Sequence, residues 1–254
     1  MIAVLSDVHA NLEALTAVMR DLAARGVDKI AFLGDMIGYG PNPREVLNFL
    51  KRFQFCLLGN HDLAVLEGPP SNFNPAAQEA VRWTRRQISP FEMGGMSKVL
   101  KPGEHAARRE HWKFLASLKP LRHWEDFTFV HDTPLAAGSA QYLMKAEEAQ
   151  EAFSRYPKVR AFFIGHSHVP KIITESEVWT PEPGKRFALD RRMVVNVGSV
   201  GQPRDGDPRA SYVLLDGDAF RYYRVPYDIE KTAAKIRKIS VLDPILADRL
   251  FQGM

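Results

Sequence analysis

The sequence predicts an α/β chain of the mixed, α+β kind: one mixed sheet, or two sheets packed together, with helices outside. Three observations predict it. Ile2 to Leu5 and Ile30 to Leu33 are short apolar runs, and between them Leu12, Leu15, Met19 and Leu22 recur at helical spacing, which makes a βαβ unit with a right-handed crossover. Near the other end, Ser211 to Leu215 and Phe220 to Val225 flank Asp216-Gly217, a strong hairpin signal. Finally, five strand-like runs end in residues that carry chemistry: Asp7-Val8-His9, Gly34-Asp35, Gly59-Asn60-His61-Asp62, His131-Asp132 and Gly165-His166-Ser167-His168. Open α/β sheets place their ligands at the carboxyl ends of strands.

The bulk composition fits one large domain over residues 1–254, with 45% hydrophobic and 25% charged residues. A net charge of +4 is mildly basic and by itself argues only weakly for nucleic acid. The single cysteine, Cys56, lies in an apolar run and reads as a small buried hydrophobe, which fits a reducing, cytoplasmic setting. No apolar run approaches the roughly 18–20 residues that span a membrane. No signal peptide is read either: Met1 leads directly into the strand that ends at Asp7 and His9.

In chain order, Asn11 is placed to cap the first helix and Gly26 to stop it. After Asp35 comes a loop, Gly38-Tyr39-Gly40-Pro41-Asn42-Pro43, with Asn42 expected to cap the next helix and Pro43 at its first position. Phe55 to Leu58 reads as a buried strand. From Leu63 to about Glu125 no strand is evident. Asn74-Pro75 opens a helix carrying Ala77, Val81, Trp83 and Ile88, Gly94-Gly95 marks a loop, and a further helix is expected from about Arg108 to Leu118. This helical insertion, 63–125, is a candidate cap over a site; packing against the side of the sheet explains it equally well. Phe127 to Val130 and Val159 to Ile164 are strands around a helix from Lys145 to Tyr156. Lys171 to Thr174 and Met193 to Val197 are strands separated by a polar excursion. The stretch from Asp228 is helical, with Lys231, Lys235, Arg237 and Lys238 on a solvated face.

Asp7 and His9 are two residues apart, so strict alternation would send them to opposite faces; at a turn beyond the strand both can aim at one point. Asp-x-His and Gly-Asp are weak signals alone. The four-residue motifs at 59–62 and 165–168 are more specific, and the ordered set is strong. Of eight histidines, His9, His61, His131, His166 and His168 fall within it, whereas His105, His111 and His123 match no motif and read as structural.

On these residues the chain resembles the calcineurin-like metallophosphoesterase superfamily, in particular its bacterial branch of YfcE-like and diadenosine-tetraphosphatase-like phosphoesterases. The matching motifs span residues 7 to 168, and Asn196-Val197-Gly198-Ser199 extends the likeness. The resemblance implies a four-layer αββα sandwich of two mixed β-sheets flanked by helices, the metallophosphoesterase fold, with a dinuclear centre on its edge. It assigns Asp7, His9 and His168 to one metal, Asp35 to a bridge, and Asn60, His131 and His166 to the second metal. The donor chemistry agrees: carboxylate and imidazole without thiolate suit Mn, Fe, Zn, Ni or Co rather than a structural zinc. The implied activity is hydrolysis of phosphodiester or phosphomonoester bonds by a metal-bridging hydroxide, on a small, nucleotide-like phosphoester. His61 would protonate the leaving oxygen or stabilise the transition state, with Asp62 orienting it and favouring its charged form.

Two departures stand out. The family often has Gly after the fourth-motif histidine, where this chain has Asp132, which could add a contact near the metals. Relatives often carry Asn-Pro-Gly-Ser where Asn196-Val197-Gly198-Ser199 stands here, which reads as neutral. Arg204 could clamp a substrate phosphate or pair with Asp205 or Asp207, and Tyr39 and Asn74 could line the site. The rivals are a nuclease or cyclic-nucleotide phosphodiesterase on the same site, for which Arg82, Trp83, Arg85 and Arg86 are the nearest thing to a basic, aromatic groove, and a non-catalytic binding module on the same scaffold.

Overall fold

The computed structural model describes residues 1–91 and 102–254. The expected Gly94-Gly95 loop lies outside the described residues. Along the chain, β1 (Ile2–Leu5), α1 (Leu12–Ala24), β2 (Ile30–Phe32), α2 (Pro43–Leu47) and β3 (Phe55–Cys56) come first. Three helices follow, α3 (Asn60–Glu67), α4 (Pro75–Ile88) and α5 (Pro102–Ser117). Then come β4 (Leu121–Trp124), β5 (Phe127–Val130), α6 (Ala146–Arg155) and β6 (Ala161–Ile164). The later part holds β7 (Lys171–Ile173), β8 (Val178–Trp179), β9 (Arg186–Ala188), β10 (Met193–Asn196), β11 (Ala210–Asp216) and β12 (Ala219–Val225), then α7 (Ile229–Arg237) and α8 (Ile245–Gln252).

The strands form two mixed sheets, ordered β3-β2-β1-β11-β12-β9 and β4-β5-β6-β10-β7-β8. In the first, β1, β2 and β3 run parallel and β11 turns antiparallel to β1. In the second, β5, β6 and β10 run parallel and β7 is antiparallel to β10. Every parallel strand therefore delivers its carboxyl end to one edge of its sheet.

Alternation explains the layers. In β6, Ala161 and Phe163 enter a core between the sheets, while Phe162 and Ile164 pack outward with Phe153 of α6. In β1, Val4 faces between the sheets and Ala3 and Leu5 face α1, where Leu15, Val18 and Leu22 are buried. Because both faces are covered, these strands read as unbroken apolar runs. The result is the expected four layers of two mixed sheets flanked by helices. Asn11 caps α1 as expected, its Oδ1 accepting from the N–H of Ala14 at 3.1 Å.

Several local expectations are corrected. A strand, β4, lies inside the 63–125 stretch; it is short, half-exposed and on the sheet edge, so it shows no apolar periodicity and exists by pairing with β5. Regular pairing of the 55–58 run stops at Cys56, and Leu57 makes only an isolated bridge to Lys119. The polar excursion before β10 contributes β8 and β9, one to each sheet. Asn42 does not cap α2; its amide donates to Glu45 Oε1 and accepts from Lys235 Nζ, which ties α2 to α7. The helix expected from Arg108 starts at Pro102.

Candidate metal centre

The parallel strands place their ends side by side. Asp7 and His9 follow β1, Asp35 follows β2, Asn60 and His61 open α3 just after β3, His131 follows β5, and His166 and His168 follow β6. All except Asn60 are buried. The loops are stitched to one another beyond the regular strands: the N–H of Asp7 donates to Gly34 O at 3.0 Å and the N–H of His9 to Asp35 O at 3.0 Å.

Five of these residues have left-handed backbones. The φ values are 55° at Asp7, 47° at His9, 57° at Asp35, 63° at His166 and 61° at His168. This conformation costs energy in a non-glycine residue and clusters at functional sites. It also answers the alternation problem: a left-handed residue breaks the strand's two-residue period, so residues two apart can converge. The approach is close enough to demand glycine beside it. A Cβ on Gly59 would lie 2.1 Å from Asp35 Oδ1.

Two donor sets result, each with ligand atoms within 4.8 Å of one another: Asp7, His9 and His168, and Asp35, His131 and His166. His168 Nε2 lies 3.2 Å from Asp7 Oδ1 and 3.1 Å from His9 Nε2. Asp35 Oδ2 lies 3.4 Å from His131 Nε2 and 3.6 Å from His9 Nε2, so one oxygen faces both sets. Asn60 Oδ1 joins the second set, 3.0 Å from His131 Nε2.

The remaining atoms of these ligands are occupied in a way that frees the donors. Nδ1 of His9, His131 and His168 meets the main-chain oxygens of Ile37, Leu33 and Gln202 at 3.3, 3.1 and 2.6 Å. His166 does the same through Nε2, 3.0 Å from Ala140 O. In its neutral form each imidazole is thereby held in the tautomer whose other nitrogen is an open donor. Asp7 Oδ2 accepts from the N–H of His166, while its Oδ1 is buried with no hydrogen-bond partner. A buried orphan carboxylate oxygen beside two open imidazole nitrogens is what a divalent cation would satisfy, and the donor set fits one.

The charges agree. Burial alone would raise the carboxyl groups of Asp7 and Asp35, but His168 beside the first and His131 beside the second hold both well below the usual range. Burial, reinforced by Arg204, pushes His168 down to about 3, and burial lowers His166. His131 goes the other way, to about 10, because Asp35 and then Asp7 outweigh its burial. The same carboxylates that favour a cationic ring would favour a metal cation at its Nε2 in place of the proton.

Asp62 departs from expectation. Its carboxylate does not turn to the His61 ring; it accepts main-chain hydrogen bonds from Asp35 at 2.8 Å, Met36 at 3.3 Å, Ile37 at 3.2 Å and Gly59 at 3.2 Å. The reason is helical geometry: at the third position of α3 it reaches back over the helix N-terminus, whose N–H groups lack partners. The N–H of His61 in turn donates to Asp35 Oδ1 at 2.8 Å. His61 Nδ1 is buried without a partner, and burial holds this imidazole well below its ordinary pKa instead of favouring its charged form.

Asp132 has a clear task. It accepts from the N–H groups of Gly138 at 3.1 Å and Ala140 at 2.7 Å, folding the loop that presents Ala140 O to His166. Asn196 and Ser199 brace the neighbouring loops: Asn196 Nδ2 donates to Gly165 O at 2.8 Å, and Ser199 Oγ to Asp7 O at 2.8 Å.

A cavity of about 320 Å³ opens beside the two donor sets. Asp35, Asn60, His61, His166 and His168 line its floor, and Tyr39, Asn74 and Arg204 its walls. Asn72, Phe73 and Ala77 bring the 63–125 insertion to the rim. Two wall residues were not anticipated. Phe73 packs against His61 at 4.7 Å, and Tyr142 stacks on His166 at 4.5 Å and 20° while remaining 55% exposed. Neither sits in a periodic segment, so nothing local marks them. Of the candidate basic groove, Arg82 is paired with Glu79, and Arg85 donates to the main-chain oxygens of Val65 and Leu66 at the end of α3.

No described helix is long and apolar enough to cross a membrane. A sequence model of the calcineurin-like phosphoesterase superfamily domain matches residues 1–219. Protein MJ0912 of Methanocaldococcus jannaschii, itself uncharacterized, is 37% identical over 264 residues, which cover 100% of this chain and 98% of that one. The crystal structure of a metallophosphoesterase from Sphaerobacter thermophilus is 36% identical with a TM-score of 0.80, covering 100% of this chain and 99% of that chain. The symmetrical bis(5'-nucleosyl)-tetraphosphatase of Proteus mirabilis is 27% identical over 152 residues, 53% of this chain and 55% of that protein. The match runs through both sheets and every loop that carries a donor, and on that ground the chain belongs to the calcineurin-like phosphoesterase superfamily.

Proposed function

We propose that the protein is a two-metal phosphoesterase acting on small, nucleotide-like phosphoesters. The observation that carries this reading is the position of Asp35 Oδ2, 3.4 Å from His131 Nε2 and 3.6 Å from His9 Nε2, which suits a carboxylate shared between two cations. Divalent cations held by Asp7, His9 and His168 and by Asn60, His131 and His166 would supply positive charge to a phosphoryl group and lower the pKa of water. The protein's own part is placement. His61 lines the cavity, and with its Nδ1 buried against Gly38 the other ring nitrogen, Nε2, is the one that can hold a proton at the departing ester oxygen. Arg204 adds a guanidinium on the cavity wall for substrate phosphate. Phe73 and Tyr142 offer aromatic faces at the rim, which supports a substrate with a flat ring such as a nucleobase. The likeness to a bis(5'-nucleosyl)-tetraphosphatase supports the same class. The insertion that supplies Phe73 would then act as the cap that selects it.

The test is to strip the metal, add back Mn, Ni, Co, Fe or Zn singly, and assay bis-p-nitrophenyl phosphate beside p-nitrophenyl phosphate. Metal-dependent turnover that disappears in Asp35→Asn supports the reading. Turnover of the diester points to a phosphodiesterase and of the monoester alone to a phosphatase. No turnover with any metal, in protein that holds two ions per chain, would move the reading to a binding module.

A further inference from the structure

His9, His131, His166 and His168 each rest one ring nitrogen on a main-chain oxygen, and His61 does not. Its Nδ1 is buried with no hydrogen-bond partner among the described residues, and the carboxylate next to it, Asp62, is taken by main-chain N–H groups. The torsion that turns an imidazole about its Cβ–Cγ bond has only a broad preference. With Nδ1 unbonded, the ring is aimed by packing. Tyr39 lies 4.4 Å from the His61 ring at 46°, Phe73 4.7 Å at 37°, and His9 meets it edge-on at 4.9 Å. On the Nδ1 side the main chain of Gly38 closes in: a Cβ there would lie 2.9 Å from Nδ1. Nε2 is thereby left for the cavity that His61 lines.

The two aromatic rings are themselves fixed by distant segments. Tyr39 stands between glycines that have no room for a side chain: a Cβ on Gly40 would lie 2.2 Å from His9 O, which accepts from the N–H of Gly40 at 3.0 Å. Tyr39 is buried on a left-handed backbone, φ 56°, and packs in one cluster with Ala77 of α4 and Leu246 and Leu250 of α8. The guanidinium carbon of Arg249, also on α8, lies over its ring at 5.6 Å from the centroid. Phe73 packs against the same cluster, and its main chain is tied on both sides. Its N–H donates to Pro70 O at 3.1 Å, and its oxygen accepts from Gln78 Nε2 at 2.8 Å. Two rings anchored outside the metal loops therefore press on the one cavity histidine that lacks an orienting hydrogen bond.

We propose that Tyr39 and Phe73 are positioning residues whose rings, in place of a hydrogen-bonded partner, hold His61 with Nε2 toward the departing ester oxygen. The inference rests on the phosphoesterase reading. It gives the 63–125 insertion, through Phe73, and α8, through Tyr39, a part in the reaction that is separate from metal binding.

The test is leaving-group dependence in the metal-loaded enzyme, read as the kcat ratio of a phenyl phosphoester to its p-nitrophenyl counterpart, monoester or diester according to which turns over. Phenolate is the more basic leaving group and depends more on a proton held at its oxygen, so His61→Gln should lower the ratio. Phe73→Leu and Tyr39→Leu remove a ring and keep apolar bulk. Each should lower the same ratio by roughly tenfold, since small misplacement forfeits much of an acid's advantage, while two ions per chain are retained. Phe73→Tyr and Tyr39→Phe restore a ring and should restore the ratio. On a His61→Gln background Phe73→Leu should lower it no further. A role limited to gripping substrate would appear in KM and one limited to stability in the Tm. An unmoved ratio in Phe73→Leu, or an undiminished further drop on the His61→Gln background, would overturn the proposal; Phe73 is only half-buried, which covers the case in which Tyr39→Leu does not fold. If no phosphoester turns over with any metal, the phosphoesterase reading fails by itself. Crystal structures of the zinc-loaded wild type and Phe73→Leu then decide the ring contacts: a His61 ring turned or spread over several orientations in the variant supports them, and an unmoved ring is fatal.

Discussion

The main-chain N–H of Asp35 donates to the carboxylate of Asp62 at 2.8 Å, so the residue that faces both donor sets is held by a residue that faces neither. Asp62 accepts three further N–H groups from Met36, Ile37 and Gly59, and burial followed by the charge of Asp35 raises its pKa to about 7. Asp62→Ala would leave these donors buried and unpaired. It should cost about 3 kcal/mol of stability and weaken metal affinity roughly 10–100-fold. His61→Gln should instead keep both the Tm and the metal content while turnover falls. Thermal melts and metal analysis of the two variants separate these roles; equal metal loss in both would contradict the division.

The two donor sets predict a stoichiometry. Metal analysis should give two ions per chain for the wild type. His168→Ala removes a donor from the Asp7 set alone and His131→Ala from the Asp35 set alone, so each should retain about one ion. Asp35→Asn should lose more than either, because its oxygen faces both sets. Chelation should also lower the Tm, since ions that bind only the folded state stabilise it. A single ion lost equally from all three variants would argue for a mononuclear site.

Tyr142 is an exposed aromatic stacked on His166, a candidate metal ligand, a position that suits contact with a flat substrate group. Tyr142→Ala should reduce kcat/KM for a nucleotide p-nitrophenyl ester relative to p-nitrophenyl phosphate by roughly tenfold, the worth of one base–aromatic stack. Most of that change should appear in KM. An unchanged ratio would remove Tyr142 from the binding site.

A pH effect separate from the metals comes from the junction of α1 with β11. Asp21 accepts from the Tyr212 hydroxyl at 2.6 Å and from Arg25 Nε at 2.9 Å. Burial opposes ionisation of Asp21, but Arg25 and Tyr212 outweigh it and hold the carboxyl below its ordinary value of 3.8. A carboxyl lowered in the folded state contributes stability that is fully present above that ordinary value and is lost as pH falls through the folded one. Asp21→Asn should therefore cost about 1 kcal/mol near neutrality. The ion-pair part should be small because the group is partly exposed. The gap between variant and wild type should close below about pH 4. Denaturant melts at pH 7, 5 and 3 measure it, and a gap that widens in acid would reverse the sign.

Much of the site was legible because its donors follow apolar runs directly. A strand buried on both faces leaves an unbroken hydrophobic signature, as in Ala161–Ile164, and the residue after it must lie at the sheet edge. Asp7, Asp35, His131 and His166 could be placed on that ground alone. The edge strand Leu121–Trp124 escaped because two of its four residues face solvent and its stability comes from its partner. Asp62 was recognised as part of the site, but its partners were not, since they depend on the turn that the helix N-terminus makes over residues 35–37.

By itself the sequence determined which donors exist, their order along the chain and the strands that carry them, because local hydrophobic pattern and residue chemistry are written in adjacent positions. Tertiary structure alone decided how they converge. His131 takes its tautomer from Leu33 O, 98 residues away, and His168 from Gln202 O. Ala140 reaches His166 only through the loop that Asp132 folds, and Arg249 comes to lie over the Tyr39 ring only because α8 packs on the cluster around it. The left-handed backbones at Asp7, His9, Asp35, His166 and His168 belong to the same class. Each is a local cost that only contacts between distant segments can offset, so no local pattern announces it.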